Sequence, residues 1–209
     1  MNPKEKLEPK SLVKRAPVFY YPNFLDEELS NKLYEELKTV NIERHTHNGK
    51  KLARNTAVFG DTSKLSKFPE IWGEDVEMVN WSTGMPTMEI VLNKVRSFLE
   101  QEFNICLVNQ YPSGKDFIGW HADNEEKGDK YCIASISLGA VRKFLFLLKI
   151  KDLGLDEEEQ ERVEVELGHG SLLVMKHPCQ DLYLHSLPPD KKVKDERINL
   201  TYRIFHYDQ

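Results

Sequence analysis

The sequence predicts an α+β domain, mainly β, whose second half forms a jelly roll. Three observations predict it. After residue 103 short apolar segments recur with turns between them, the spacing of a β-sandwich or barrel rather than of βαβ units. The two long stretches with a helical period both precede that run. The length of 209 residues suits a single domain with a sizeable core.

In chain order, "MNPKEKLEPKSLVKRAP" carries charge with no apolar segment behind it. Residues 1–15 are therefore expected to be a flexible arm and not a secretory signal. "APVFYYPNF" opens with a short extended run. Asp26 then suits a helix N-cap, with Leu29, Leu33, Tyr34 and Leu37 at helical spacing. Asn48 and Gly49 in "NGKK" signal a hairpin turn. "GMPTMEIVLNKVRSFLEQEF" has Pro86 near its start and is expected to turn Ile90, Val91, Val95, Phe98 and Leu99 to one apolar face. Eight strand candidates follow: "NICLVNQY", "FIGWHAD", "CIASISLG", "KFLFLLKI", "RVEVEL", "GSLLVMK", "LYLHSLP" and "RINLTYRIF". The charged "DLGLDEEEQE" between two of them reads as a solvated loop.

Composition narrows the function. No apolar run approaches the roughly 20 residues needed to span a bilayer. Three cysteines, Cys106, Cys132 and Cys179, form no CxxC pair, which suits buried free thiols in a reducing compartment. The net charge of −5 argues against tight duplex binding, so a nucleic-acid partner requires a local basic patch.

The chemistry concentrates in a few segments. In "DFIGWHADNEEKG", an extended backbone turns His121 and Asp123 to the same face, where imidazole and carboxylate can share one small object. In "RINLTYRIF", Arg197, Asn199, Thr201 and Arg203 fall on one face and Ile198, Leu200, Tyr202 and Ile204 on the other. That polar face either meets water or lines an interior, where its arginines would need buried anions. Asn109 and Tyr111 in "NQYPSG" share a face and can hydrogen-bond a carboxylate. His185 stands alone in an apolar strand end. With His121 and Asp123 it completes the 2-His-1-carboxylate set of non-haem Fe(II) oxygenases, which leaves positions open for a 2-oxo acid and dioxygen.

In these segments the chain resembles the AlkB family of Fe(II)/2-oxoglutarate-dependent dioxygenases, in its nucleic-acid-repair branch. "NQYPSGKDFIGWHADNEE", "SISLGAVRKFLF", "GHGSLLVMKHP", "HSLPP" and "RINLTYRIF" carry the resemblance through most of residues 103–205. "YYPNFLDEELSNKLYEEL" and "ARNTAVFGD" extend it into the first half. It implies a double-stranded β-helix (jelly-roll) catalytic core over 103–209, preceded by helices and a nucleotide-recognition lid over 16–102, in one domain of 1–209. It implies that His121, Asp123 and His185 bind Fe(II). Asn109, Tyr111, Arg197 and Arg203 would hold 2-oxoglutarate, with Asn199 and Thr201 lining the same pocket. Arg197 would take the distal carboxylate, and Arg203 would sit nearer the metal and orient Asp123.

The substrate implied is an alkylated nucleic acid, single-stranded or with its base flipped out, and the reaction is oxidative demethylation of 1-methyladenine or 3-methylcytosine in DNA or RNA. 2-Oxoglutarate is decarboxylated, dioxygen is consumed and formaldehyde is released. His121 would cover one face of the base and Trp81, in "NWSTG", the other, with Phe68 and Trp72 in reserve. Glu125 would lie near a cationic base. The recognition hairpin matches "RHTHNGKKLARNTAVFGD", where Arg44, Lys50, Lys51 and Arg54 would meet phosphates beside Phe59. The bland alternatives are a rim aromatic at Trp81, a surface acid at Glu125 and an ordinary exposed hairpin. His45 and His47 are not expected to form a second metal site, and His169 and His177 read as turn residues. The stretch 61–80 is longer and more acidic than the family pattern, which bears on substrate strandedness. No membrane partner, a monomer, and the nucleus or cytoplasm are expected. The rival readings are the same oxygenase acting on a protein or small molecule, and a non-catalytic module that binds modified nucleic acid.

Overall fold

The computed structural model describes residues 10–47, 49–61, 76–81, 85–123 and 131–204. β1 (Val18–Tyr21) leads into α1 (Glu27–Leu37). A small hairpin, β2 (Thr46–His47) and β3 (Lys50–Lys51), precedes β4 (Asn55–Gly60), β5 (Met78–Asn80) and α2 (Pro86–Leu99). The eight expected strands follow: β6 (Ile105–Tyr111), β7 (Ile118–His121), β8 (Cys132–Gly139), β9 (Arg142–Leu148), β10 (Arg162–Leu167), β11 (Ser171–Lys176), β12 (Tyr183–Leu187) and β13 (Arg197–Arg203). Two single-turn helices interrupt them, α3 (Ile150–Leu153) and α4 (Cys179–Leu182).

The strands form a seven-stranded sheet, ordered β1-β11-β8-β13-β6-β4-β5, and a four-stranded sheet, ordered β10-β9-β12-β7. One apolar core joins the sheets, with Ile133, Leu173 and Met175 from the larger meeting Phe146, Leu167 and Tyr183 from the smaller. A second core covers the other face of the large sheet, where Leu33 and Leu37 of α1 and Met88, Val91 and Val95 of α2 meet Phe59, Cys106, Ile136, Leu200 and Tyr202. The large sheet is thus buried on both faces, and every residue of β13 is buried. The two faces of that strand divide by chemistry: Ile198, Leu200 and Tyr202 pack under the helices, and the four polar residues point the other way, into the jelly roll.

The helices follow their local signals. Asp26 caps α1, its carboxylate accepting from the Leu29 amide at 2.8 Å. The apolar face of α2 is rotated from the expected one. Thr87, Met88, Val91, Leu92 and Val95 are buried, while Ile90 is 51% exposed, because neighbours along a helix diverge by about 100°. The N-terminus of α2 has no side-chain cap of its own; Glu36 of α1 caps it, accepting from the Thr87 and Met88 amides at 3.0 Å each. Glu36→Ala is expected to cost about 1 kcal/mol of stability, read as a lower urea midpoint at unchanged slope.

Two expectations change at the surface. Residues 10–15, assigned to the arm, are anchored: Val13 is buried, and the Lys14 amide donates to Glu161 at 3.0 Å. Arg15 pairs with Glu159 at 2.8 Å. The acidic loop that receives them contains a 3₁₀ turn, Glu157–Glu159, held by a capping box from Asp156.

Candidate active site

The pairing of β7 with β12 sets His121 directly opposite His185, their ring centroids 4.2 Å apart. Asp123 follows just beyond the end of β7. Its two carboxylate oxygens each lie 3.6 Å from a histidine Nε2, one from His121 and one from His185. The three side chains offer ligand atoms within 4.8 Å of one another. His121 Nδ1 donates to the Gly119 carbonyl at 2.8 Å, which leaves its Nε2 lone pair turned to the cluster. Phe144 lies against the His185 ring, centroids 5.3 Å apart and nearly parallel.

Two groups hold Asp123. The Arg203 guanidinium reaches its carboxylate at 3.1 Å, and the Gln180 side-chain carbonyl accepts from its backbone amide at 2.9 Å. Burial by itself would raise the Asp123 carboxyl, but Arg203, with His185 and His121, outweighs it and holds the group at about 2. Burial pushes the His185 imidazole down to about 3, against the pull of Asp123. The site therefore presents a carboxylate and a neutral buried imidazole, the ligating forms of both groups.

A cavity of about 380 Å³ opens beside this cluster. Asn109, Tyr111, Asn199, Thr201 and Arg203 line it, as does Arg54, whose Nε donates to Asn109 Oδ1 at 2.6 Å. Thr201 donates to Asn199 at 3.0 Å, and Asn199 to Ser135 at 2.7 Å, so the floor is rigidly bonded. Arg197 stands one layer back, 2% exposed, its guanidinium 5.4 Å from the Tyr111 ring centroid. It donates to Ser137 Oγ at 2.9 Å, while its Nε is buried without a hydrogen-bond partner. Burial lowers it to about 10. Among the described residues no carboxylate pairs with it. A buried guanidinium without a counter-ion, behind amide and phenol groups that can grip a carboxylate, fits a dicarboxylate such as 2-oxoglutarate. Two imidazole nitrogens and one carboxylate fit Fe(II).

The substrate side departs from expectation. Phe59 is fully buried: β4 runs beside β6 with Phe59 opposite Cys106, on the helix-covered face. Trp81 is 7% exposed and packs in the same core, with the Arg96 guanidinium 5.4 Å from its ring. Neither offers a free face to a base. Glu125, Phe68 and Trp72 lie outside the described residues. Arg44 pairs instead with Asp116, at the base of the hairpin. Sequence reasoning passed over Arg142, 2% exposed, which donates to the carbonyls of Pro188 at 2.7 Å and Asp116 at 3.0 Å and ties the rim together. It also passed over Phe144, although the alternation of "KFLFLLKI" places Phe144 and Phe146 on one face, and over Gln180, which carried no local signal.

Two histidines and a carboxylate at the mouth of a jelly roll, beside a cavity backed by buried arginines, are the arrangement shared by non-haem Fe(II) oxygenases that take a 2-oxo acid. The chain belongs to the 2OG-Fe(II) oxygenase superfamily, whose family model matches residues 17–203, and within it to the AlkB family. It is 39% identical over 151 residues to the DNA oxidative demethylase ALKBH2 of Bos taurus, covering 72% of this chain and 52% of that protein. To the alpha-ketoglutarate-dependent dioxygenase alkB homolog 3 of Homo sapiens it is 34% identical over 125 residues, 59% of this chain and 44% of that one. The chain thus spans about half the length of these curated relatives. Among solved structures, OsALKBH1 superposes with a TM-score of 0.62 at 18% identity, covering 91% of this chain and 99% of that one. No helix among the described residues is long and apolar enough to cross a membrane.

Proposed function

We propose that the protein oxidatively demethylates N-alkylated nucleobases, of the 1-methyladenine and 3-methylcytosine type, in single-stranded or locally opened nucleic acid. The observation that carries this is the His121–Asp123–His185 triangle, with Asp123 and His185 buried, facing a cavity that suits a dicarboxylate, in a chain 39% identical over 151 residues to a DNA oxidative demethylase.

In this reading His121, Asp123 and His185 hold Fe(II). When bound, the iron with 2-oxoglutarate and dioxygen supplies the oxidation, in which the cosubstrate becomes succinate and carbon dioxide and the N-methyl carbon is hydroxylated and lost as formaldehyde. The chain supplies orientation. Arg197, Tyr111 and Asn109 grip the cosubstrate, with Asn199 and Thr201 beneath it. Arg203 keeps Asp123 ionised and aimed. Gln180 fixes the backbone from which that carboxylate projects. The target base enters flipped out of its stack, because its methyl group cannot otherwise reach the iron. Arg54 closes the cosubstrate side of the cleft through Asn109. The protein acts as a monomer, in the nucleus or cytoplasm.

The test is mass spectrometry of a single-stranded oligonucleotide carrying one 1-methyladenine, incubated with the protein, Fe(II), 2-oxoglutarate and oxygen. His121→Ala is the control. Loss of the methyl mass with the wild-type protein alone is the expected result. Consumption of 2-oxoglutarate without demethylation would assign the same chemistry to a protein or small-molecule substrate. Retained oligonucleotide binding with no turnover of either would leave a binding module.

A further inference from the structure

We propose that Trp120 and Arg162, on the outer rim of the cleft, form a stacking platform for the nucleotide that flanks the one inside it. This rests on the nucleic-acid reading above. The starting point is the burial of two aromatics expected on the substrate side, Phe59 and Trp81. Among the described residues the large hydrophobics left exposed include two aromatics, Phe117 at 39% and Trp120 at 42%. Both lie in the segment that runs into the first metal-ligand candidate, and Trp120 immediately precedes His121. Trp120 also borders the cavity. An indole so exposed forgoes much of the burial energy its size offers, and at the mouth of a cleft that marks a surface awaiting a partner.

The electrostatics name the partner. The Arg162 guanidinium lies 6.0 Å from the Trp120 ring centroid, so a cation is already set beside the aromatic face. The nearest acid along the same side of β10, Glu164, is taken up by Lys143 at 2.6 Å. The hairpin borders the same cavity through His47, and its Lys50 and Lys51 are exposed. An aromatic plane with a cation over one face, and more cations on a hairpin that borders the same cavity, is what holds single-stranded nucleic acid without regard to sequence: the free face of the ring stacks on a base and the guanidinium meets a phosphate. In a chain with an acidic total, this rim is the local patch that such binding needs.

The experiment measures binding of a short fluorescein-labelled single-stranded DNA to the full-length protein by anisotropy at several salt concentrations, without turnover. Trp120→Leu, which keeps apolar bulk but removes the aromatic face, is expected to weaken binding roughly tenfold or more, and Trp120→Phe to restore most of it. Arg162→Ala is expected to lower the slope of log affinity against log salt by about 0.7, the share of one phosphate contact on a single strand. Each variant must show the wild-type thermal shift with 2-oxoglutarate, which reports an intact fold and cosubstrate pocket. Wild-type affinity in Trp120→Leu would overturn the platform while leaving the demethylase reading in place. A wild-type protein that neither binds the strand nor demethylates it would overturn the reading itself, and the platform with it.

Discussion

Asp123→Ala is expected to reduce turnover to background and to unsettle the fold, whereas His121→Ala should do the first alone. The difference lies in what each side chain leaves behind. Loss of a group that merely orients a metal ligand costs about 10–100-fold in metal affinity, so loss of a ligand itself costs more. Asp123 also neutralises Arg203, and both are almost fully buried, 3.1 Å apart. Removing one partner of a buried ion pair strands the other, at about 3–5 kcal/mol. His121 is partly exposed and leaves no buried charge behind. Equilibrium metal binding paired with urea denaturation separates the two effects. Equal stability of the two variants would refute the role given to Arg203.

The second large effect concerns Arg197. Arg197→Met is expected to weaken 2-oxoglutarate binding roughly 100-fold, through loss of a pair of charge-assisted hydrogen bonds. The same change is expected to leave the ligand-free protein as stable as wild type, or more so. The native guanidinium is 2% exposed, without a carboxylate partner among the described residues, and a methionine of similar length removes a desolvated charge. Thermal melts with and without 2-oxoglutarate read both outcomes together. The wild type gains melting temperature with ligand and the variant does not. A variant that keeps full affinity would remove Arg197 from the cosubstrate site.

The parts of the molecule legible in the sequence were those whose patterns have one meaning. Alternation in "RINLTYRIF" separates two chemistries, so its register can be read directly, and the structure decides only that its polar face turns inward rather than to water. Asp26, Pro86 and Gly49 act within a few residues, and their helices and hairpin appear where they signal. Phe59 and Trp81 were misplaced for a physical reason. β4 lies in a sheet covered on both faces, where a continuously buried run such as "TAVF" has no exposed side to set a period. Burial at Trp81 depends on Arg96 and the helices, contacts that no local window contains. Glu36 capping a helix fifty residues on, and Arg142 binding three loop carbonyls, are invisible for the same reason.

The placement of β7 carries a last consequence. It is the border strand of the smaller sheet, hydrogen-bonded among the described residues to β12 alone, and even that register shifts between its two pairings. Strands so placed open before the interior of a domain does, with little disturbance elsewhere. Yet this strand and the residues just past it supply two members of the triangle, and β12 supplies the third. A cation shared by all three would therefore act as a clasp across this edge of the smaller sheet, and chelation would loosen that edge while the helix-backed sheet keeps its shape.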